Sequence, residues 1–193
     1  MNSNVCWTAC VLAGGLSSRM GRDKGALIDP RRGGLSCVDA TAAALDAAGA
    51  ARVLVSGEHP SREAVADRWS RRGPLGGIAS VLEHMTEGEL LLVVPVDMPL
   101  LVRDDFDRLV WAVERGSRAA FHHGWPLPFA VRCSASALRL AQARLEFHAA
   151  DASVHGWLRD LEALVVDEPK VGARFVSFDT PLAWAAYVGA RPC

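Results

Sequence analysis

The sequence predicts an α/β sandwich built on a mostly parallel sheet. Continuous apolar runs at residues 5–13, 52–56 and 90–96 have strand length and no alternation, as strands covered on both faces do. Stretches with apolar residues spaced for one helical face lie between and after them. Strands and helices in alternation pack as helical layers on a parallel sheet. Ligands of such sheets bind beyond the carboxyl ends of the strands. The loop opened by Gly14-Gly15 and the carboxylate of Asp97 both fall at such ends.

Each element follows from its pattern. The first strand, residues 5–13, stops at Gly14-Gly15. Residues 36–48 are alanine-rich, place Val38 and Leu45 on one face, and meet a stop at Gly49, which reads as a helix. "RVLVS", residues 52–56, is the second strand. "GPLGG", residues 73–77, reads as a loop, and "IASVLEHM" after it as a helix. "LLLVVPV", residues 90–96, is the central strand. An amphipathic helix starts at Arg103 and closes at Gly116. "AAFHH" and "PFAVRC" are two strands joined by a Gly124-Trp125-Pro126 turn. Helices follow over 134–147 and 154–164, then a short strand over 164–167. "RFVSF" from Arg174 reads as a last strand, and "TPLAWAAYVGA" as a terminal helix with Pro181 in its first turn.

At 193 residues the chain has the length of one domain with a real core. Hydrophobic residues make up 50% and charged residues 22%, with a net charge of −1. That balance offers no basic surface for nucleic acid, so an anionic substrate needs a local positive site. Five scattered cysteines without a CxxC pair read as reduced thiols of a cytoplasmic protein. No apolar stretch is long enough to span a bilayer.

The stretch "LAGGLSSRMGRDK" has the parts of a polyphosphate loop. It is neither of two familiar ones: Gly15 and Gly21 are separated by five residues and followed by Arg22, against GxxxxGK[ST], and Gly14-Gly15 are adjacent, against GxGxxG. Adjacent glycines let successive N–H groups turn toward one anion. Arg19 offers a forked donor and Lys24 a point charge. A surface turn with ordinary charges gives the same pattern. "PVDMP" ends the central strand on Asp97, which suits a hard cation such as Mg²⁺ or the cap of the next turn. "GPLGG" offers exposed backbone to the edge of a base, or a plain tight turn. His122 and His123 are adjacent on a strand, face opposite ways, and read as half-exposed histidines outside any shared site.

Taken together, "LAGGLSSRMGRDK", "GPLGGI" and "PVDMP" resemble the molybdenum-cofactor guanylyltransferases, within the wider nucleotidyltransferases. The resemblance covers about the first 105 residues, and "FVSFDTPLAW" is similar to the family's C-terminal segment. It implies a single-domain, Rossmann-like three-layer sandwich. It implies attack of a molybdopterin phosphate on the α-phosphorus of GTP, with Mg²⁺ as cofactor and pyrophosphate as leaving group. It places Leu12, Ala13, Gly14 and Gly15 along the nucleotide, Arg19 and Lys24 on its phosphates, Ser56 and Asp67 near the base, and Asp97 on the metal. Delivery or acceptor proteins for the pterin belong among the implied partners; nucleic acid and membrane do not.

The second half departs from the pattern. Trp125 stands where the family has His, "HAADASVHGW" replaces a short charged segment, and Ser177 and Asp179 replace a pair of asparagines. Those positions go with the acceptor. Two other readings therefore stay open: a cytidylyltransferase or other nucleotidyltransferase with a different acceptor, and a nucleotide-binding relative without turnover.

Overall fold

The computed structural model describes residues 5–13, 23–69, 71–147, 152–167 and 174–189. A seven-stranded sheet forms the middle layer, in the order β5-β4-β1-β6-β8-β7-β9. Strand β1 (Thr8–Leu12) lies parallel between β4 (Arg52–Ser56) and β6 (Leu90–Pro95). A two-residue strand β5 (Ala64–Val65) extends that side in parallel. Beyond β6, β8 (Trp125–Arg132) runs antiparallel to both neighbours, and β7 (Ala119–His122) and β9 (Leu164–Val166) run parallel to each other. One reversed strand in seven keeps the sheet mostly parallel, as the apolar runs predicted.

Helices cover both faces because residues of each strand alternate between two cores. Ala9, Val11, Leu92 and Val94 join the helices α1 (Cys37–Ala48) and α3 (Arg103–Glu114) in one core. Cys10, Leu12, Leu91 and Val93 join α2 (Pro74–Leu82), α4 (Ala135–Phe147) and α5 (Val154–Asp160) in the other. Helix α1 shows how sharply local chemistry sets the ends. The Ser36 hydroxyl accepts from the Asp39 N–H, and Gly49 takes φ 99°, the left-handed conformation glycine adopts without a Cβ penalty. Its Leu45 is fully buried, so truncation to alanine is worth about 2–5 kcal/mol. The last helix, α6 (Pro181–Gly189), docks through Tyr187, whose hydroxyl donates to the buried Asp29 carboxylate that lies on the two-stranded ribbon β2 (Ile28–Asp29) and β3 (Leu35–Ser36).

Five expectations change. "GPLGG" is no loop: Gly73 caps α2, and Pro74 opens it. Its two later glycines serve close packing, since a Cβ on Gly76 would lie 2.7 Å from the Trp69 carbonyl oxygen and one on Gly77 2.4 Å from the Ser56 hydroxyl. "RFVSF" is no strand: residues 174–179 run as irregular chain, with Phe175 and Phe178 buried three apart instead of alternating. Trp125 and Pro126 belong to β8, and the turn is His123-Gly124, with Gly124 at φ 78°. His122 is fully buried and not half-exposed; its Nε2 lies 3.0 Å from the Asp105 carbonyl and its ring meets Phe175 edge-on. The α5 helix also ends at Asp160, before Glu162 takes φ 55° and turns the chain into β9. Cys10, Cys37 and Cys133 are buried free thiols, and burial pushes Cys10 up to about 12.

Candidate active site

The carboxyl ends of β1 and β6 open on a cavity of about 360 Å³. Its apolar wall includes Leu12 and Ala13 after β1, Pro74 at the start of α2, and Trp125 and Leu127 from β8. Its polar end is built from three charges. The Lys24 ammonium lies 3.0 Å from Asp97 Oδ2 and also donates to Asp179 Oδ1. Lys24 and Asp97 are each less than one-fifth exposed, and Asp179 about two-fifths.

Local structure places each of them. Asp97 comes two residues after Pro95, the end of β6, so its carboxylate is carried at the end of a strand buried over all six residues. Lys24 is oriented by its neighbours: the Asp23 carboxylate accepts from the Gly25 N–H at 2.9 Å, and the Lys24 carbonyl accepts from Leu27. Gly25 lets this turn press on α1, since a Cβ there would sit 2.8 Å from Val38 Cγ2. Asp179 arrives from the far end of the chain. The Phe178 N–H donates to the Asp97 carbonyl at 2.9 Å, which sets the two carboxylates side by side.

The electrostatics follow from that geometry. Burial works against the Lys24 charge, but the hydrogen bonds and charges of Asp179 and Asp97 outweigh it and raise the ammonium above its usual range. The Lys24 hydrogen bond holds the Asp179 carboxyl below the usual carboxylate range, with smaller help from Asp97 and Ser177. Among the described residues, two carboxylates and one ammonium gather at the mouth of the cavity. Two hard oxygen ligands of this kind fit a divalent cation that takes its remaining ligands from water and phosphate. Among the described residues no larger cluster of His, Cys, Asp or Glu gathers as a metal site.

The structure brings Leu12, Ala13, Lys24 and Asp97 to one cavity. Gly14, Gly15 and Arg19 lie outside the described residues. Ser56 ends β4; its hydroxyl is buried against Gly77 without a hydrogen-bond partner among the described residues, and the residue lines a second cavity of about 460 Å³ that also touches Ala13. Asp67 lines neither cavity. Its Oδ1 accepts from the Trp69 N–H at 2.9 Å and from the Ser80 hydroxyl at 3.4 Å, which ties the 67–69 turn to α2. Asp179, expected on an acceptor side and not on phosphate or metal, shares the polar end of this cavity with Lys24 and Asp97. Its signal was a lone acid just before a Thr-Pro helix start, and only tertiary contact joins it to Lys24, 155 positions away. Trp125 and Ser177, expected on an acceptor side, line the same cavity as Leu12 and Lys24.

Paired carboxylates and one ammonium at the carboxyl edge of a mostly parallel sheet suit the handling of phosphates, and comparison with known proteins gives the class, a nucleotidyltransferase. The MobA-like NTP transferase domain model matches residues 9–166. The chain is 35% identical over 187 residues, 96% of each chain, to the molybdenum cofactor guanylyltransferase of Xanthomonas euvesicatoria pv. vesicatoria. Its fold matches a nucleotidyl transferase from Methanothermobacter thermautotroptrophicus with a TM-score of 0.71, at 16% identity over 96% of each chain. It also matches 2-C-methyl-D-erythritol 4-phosphate cytidylyltransferase from Thermus thermophilus, with a TM-score of 0.66 at 16% identity, over 92% of this chain and 97% of that one. The chain belongs to the MobA-like NTP transferase family.

Proposed function

We propose that this enzyme transfers GMP from GTP to the phosphate of a molybdenum–molybdopterin cofactor. The observation that carries the reading is the Lys24 ammonium held between Asp97 and Asp179 at the mouth of the cavity. The identity to a molybdenum cofactor guanylyltransferase over almost the whole chain supports guanine and the pterin acceptor. An acceptor phosphate oxygen bonds to the α-phosphorus as the bond from that phosphorus to the bridging oxygen breaks, and pyrophosphate leaves with the electron pair. Such transfer depends on positioning and charge neutralisation more than on covalent help.

Asp97 and Asp179 would hold Mg²⁺, which supplies charge neutralisation on the α-phosphate and the leaving group when bound. Lys24, within reach of both carboxylates, turns its charge to the phosphates of the donor. Arg19 gives them a forked donor, and Gly14 and Gly15 admit the chain of phosphates. Leu12 and Ala13 flank the nucleoside, with Ser56 toward the base, whereas Asp67 stays on the turn before α2. Trp125 and Leu127 offer the acceptor an apolar wall that a flat pterin can cover.

Thermal shift with GTP, CTP and ATP in Mg²⁺ tests the donor: GTP raises the melting temperature most, because only the native state binds it. Equal shifts would remove guanine. Pyrophosphate release that requires the molybdenum cofactor tests the acceptor. Release with CTP and another acceptor points to a cytidylyltransferase, and binding without release to a nucleotide-binding relative. Asp97→Asn abolishes metal-dependent release in a protein that still melts cooperatively; an unchanged rate would make Asp97 structural.

A further inference from the structure

The segment that delivers Asp179 has no sheet partner to hold it, yet it is fixed at three points. Arg174 Nη2 donates to Asp105 Oδ1 at 2.8 Å, and Asp105 is fully buried. The other Asp105 oxygen accepts from the Val102 N–H at 2.9 Å, so the same carboxylate closes the start of α3. Phe175 is 3% exposed and packs its ring on His122, with centroids 4.8 Å apart, and on Trp125 at 6.1 Å. The third point is the Phe178 N–H on the Asp97 carbonyl. A partly buried ion pair is a costly way to hold a loop, because Asp105 loses its water and Arg174 part of its own, and their attraction only partly replaces it. Its use here has a geometric return: it fixes the chain five residues before Asp179 and on the wall that carries Trp125.

We infer that Arg174 is a positioning residue, whose guanidinium on the buried Asp105 carboxylate, with Phe175 against His122 and Trp125, sets Asp179 beside Asp97 to complete the cation-binding pair. The inference rests on the reading of Asp179 as one of the two carboxylates that meet the cation. Arg174 touches neither Asp179 nor the cavity wall and acts through the chain between them. Outer partners that orient a metal ligand change metal affinity by about 10–100-fold when removed.

The test measures Mn²⁺ affinity, by paramagnetic resonance, of the full chain saturated with GTP and without acceptor. Asp179→Asn weakens Mn²⁺. Arg174→Gln paired with Asp105→Asn leaves no lone buried charge, shortens the side chain at 174 so that it no longer reaches residue 105, and weakens Mn²⁺ by about tenfold. In the Asp179→Asn background the same pair changes Mn²⁺ affinity no further, since the ligand it positions is gone. Arg174→Lys, which keeps the charge, recovers most of the affinity. A pair variant that melts lower but holds Mn²⁺ like the wild type would make Arg174 structural only, and an equal loss in both backgrounds would separate it from Asp179. If Asp179→Asn itself leaves Mn²⁺ unchanged, the reading of Asp179 as a ligand falls, and this inference with it.

Discussion

Gly77 and Ser56 give a sharp test of how α2 meets the sheet. Gly77 sits inside α2, where alanine is the better residue by about 0.5–1 kcal/mol. Here the sign reverses, because its Cβ would lie 2.4 Å from Ser56 Oγ. Neither side can yield cheaply: Ser56 is 1% exposed at the end of β4, and α2 is buried from Leu75 to Leu82. Overpacking of this kind costs about 1–3 kcal/mol, so Gly77→Ala loses about 1–2 kcal/mol net. Ser56→Ala removes the clashing atom together with a buried hydroxyl that has no hydrogen-bond partner among the described residues. The next contacts of the new Cβ, Leu12 Cδ1 at 3.4 Å and Ser56 Cβ at 3.6 Å, are ordinary. In that background Gly77→Ala therefore stabilises, and the coupling between the two changes is about 2 kcal/mol. Urea unfolding of the four proteins reads the cycle, and melting temperatures move about 2–4 °C per kcal/mol for a domain of this size. The same loss in both backgrounds would refute the steric argument.

Tyr187 controls part of the alkaline limit. Burial, then its hydrogen bond to Asp29, pushes its hydroxyl up to about 12 from 10.0. The folded chain keeps that proton after the unfolded chain has lost it, so the contribution is whole below pH 10 and falls away between 10 and 12. Tyr187→Phe is expected to flatten the fall in stability over that window by roughly 2 kcal/mol relative to wild type, read by denaturant melts at each pH; parallel curves would show that the hydroxyl is not shifted. Gly156→Ala places a Cβ 2.4 Å from the Arg144 guanidinium, which is pinned on Asp160, and costs about 1–3 kcal/mol in unfolding free energy. A neutral result there would mean that Arg144 moves freely. Lys24→Met leaves Asp97 and Asp179 as neighbouring carboxylates without their shared ammonium and lowers GTP affinity, measured by the nucleotide-induced melting shift; an undiminished shift would take Lys24 out of the phosphate site.

The sequence by itself determined the sandwich. Continuous apolar runs of strand length between glycine-rich breaks read as strands covered twice, and Ser36 and Gly49 bound α1 by chemistry that acts within one turn. It also pointed to half of the candidate site, because Lys24 and Asp97 lie in motifs of residue types that suit phosphate and metal. Tertiary structure decided the rest. "GPLGG" has the composition of a turn, and only the approach of Trp69 and Ser56 shows that its glycines make room for a packed helix. "RFVSF" has the composition of a strand, but its aromatic residues pack on His122 and Trp125 and the segment runs as irregular chain. Asp179 meets Lys24 across 155 positions. Local pattern reports what a residue does to its own backbone, whereas the meeting of two distant charges depends on how every intervening element packs.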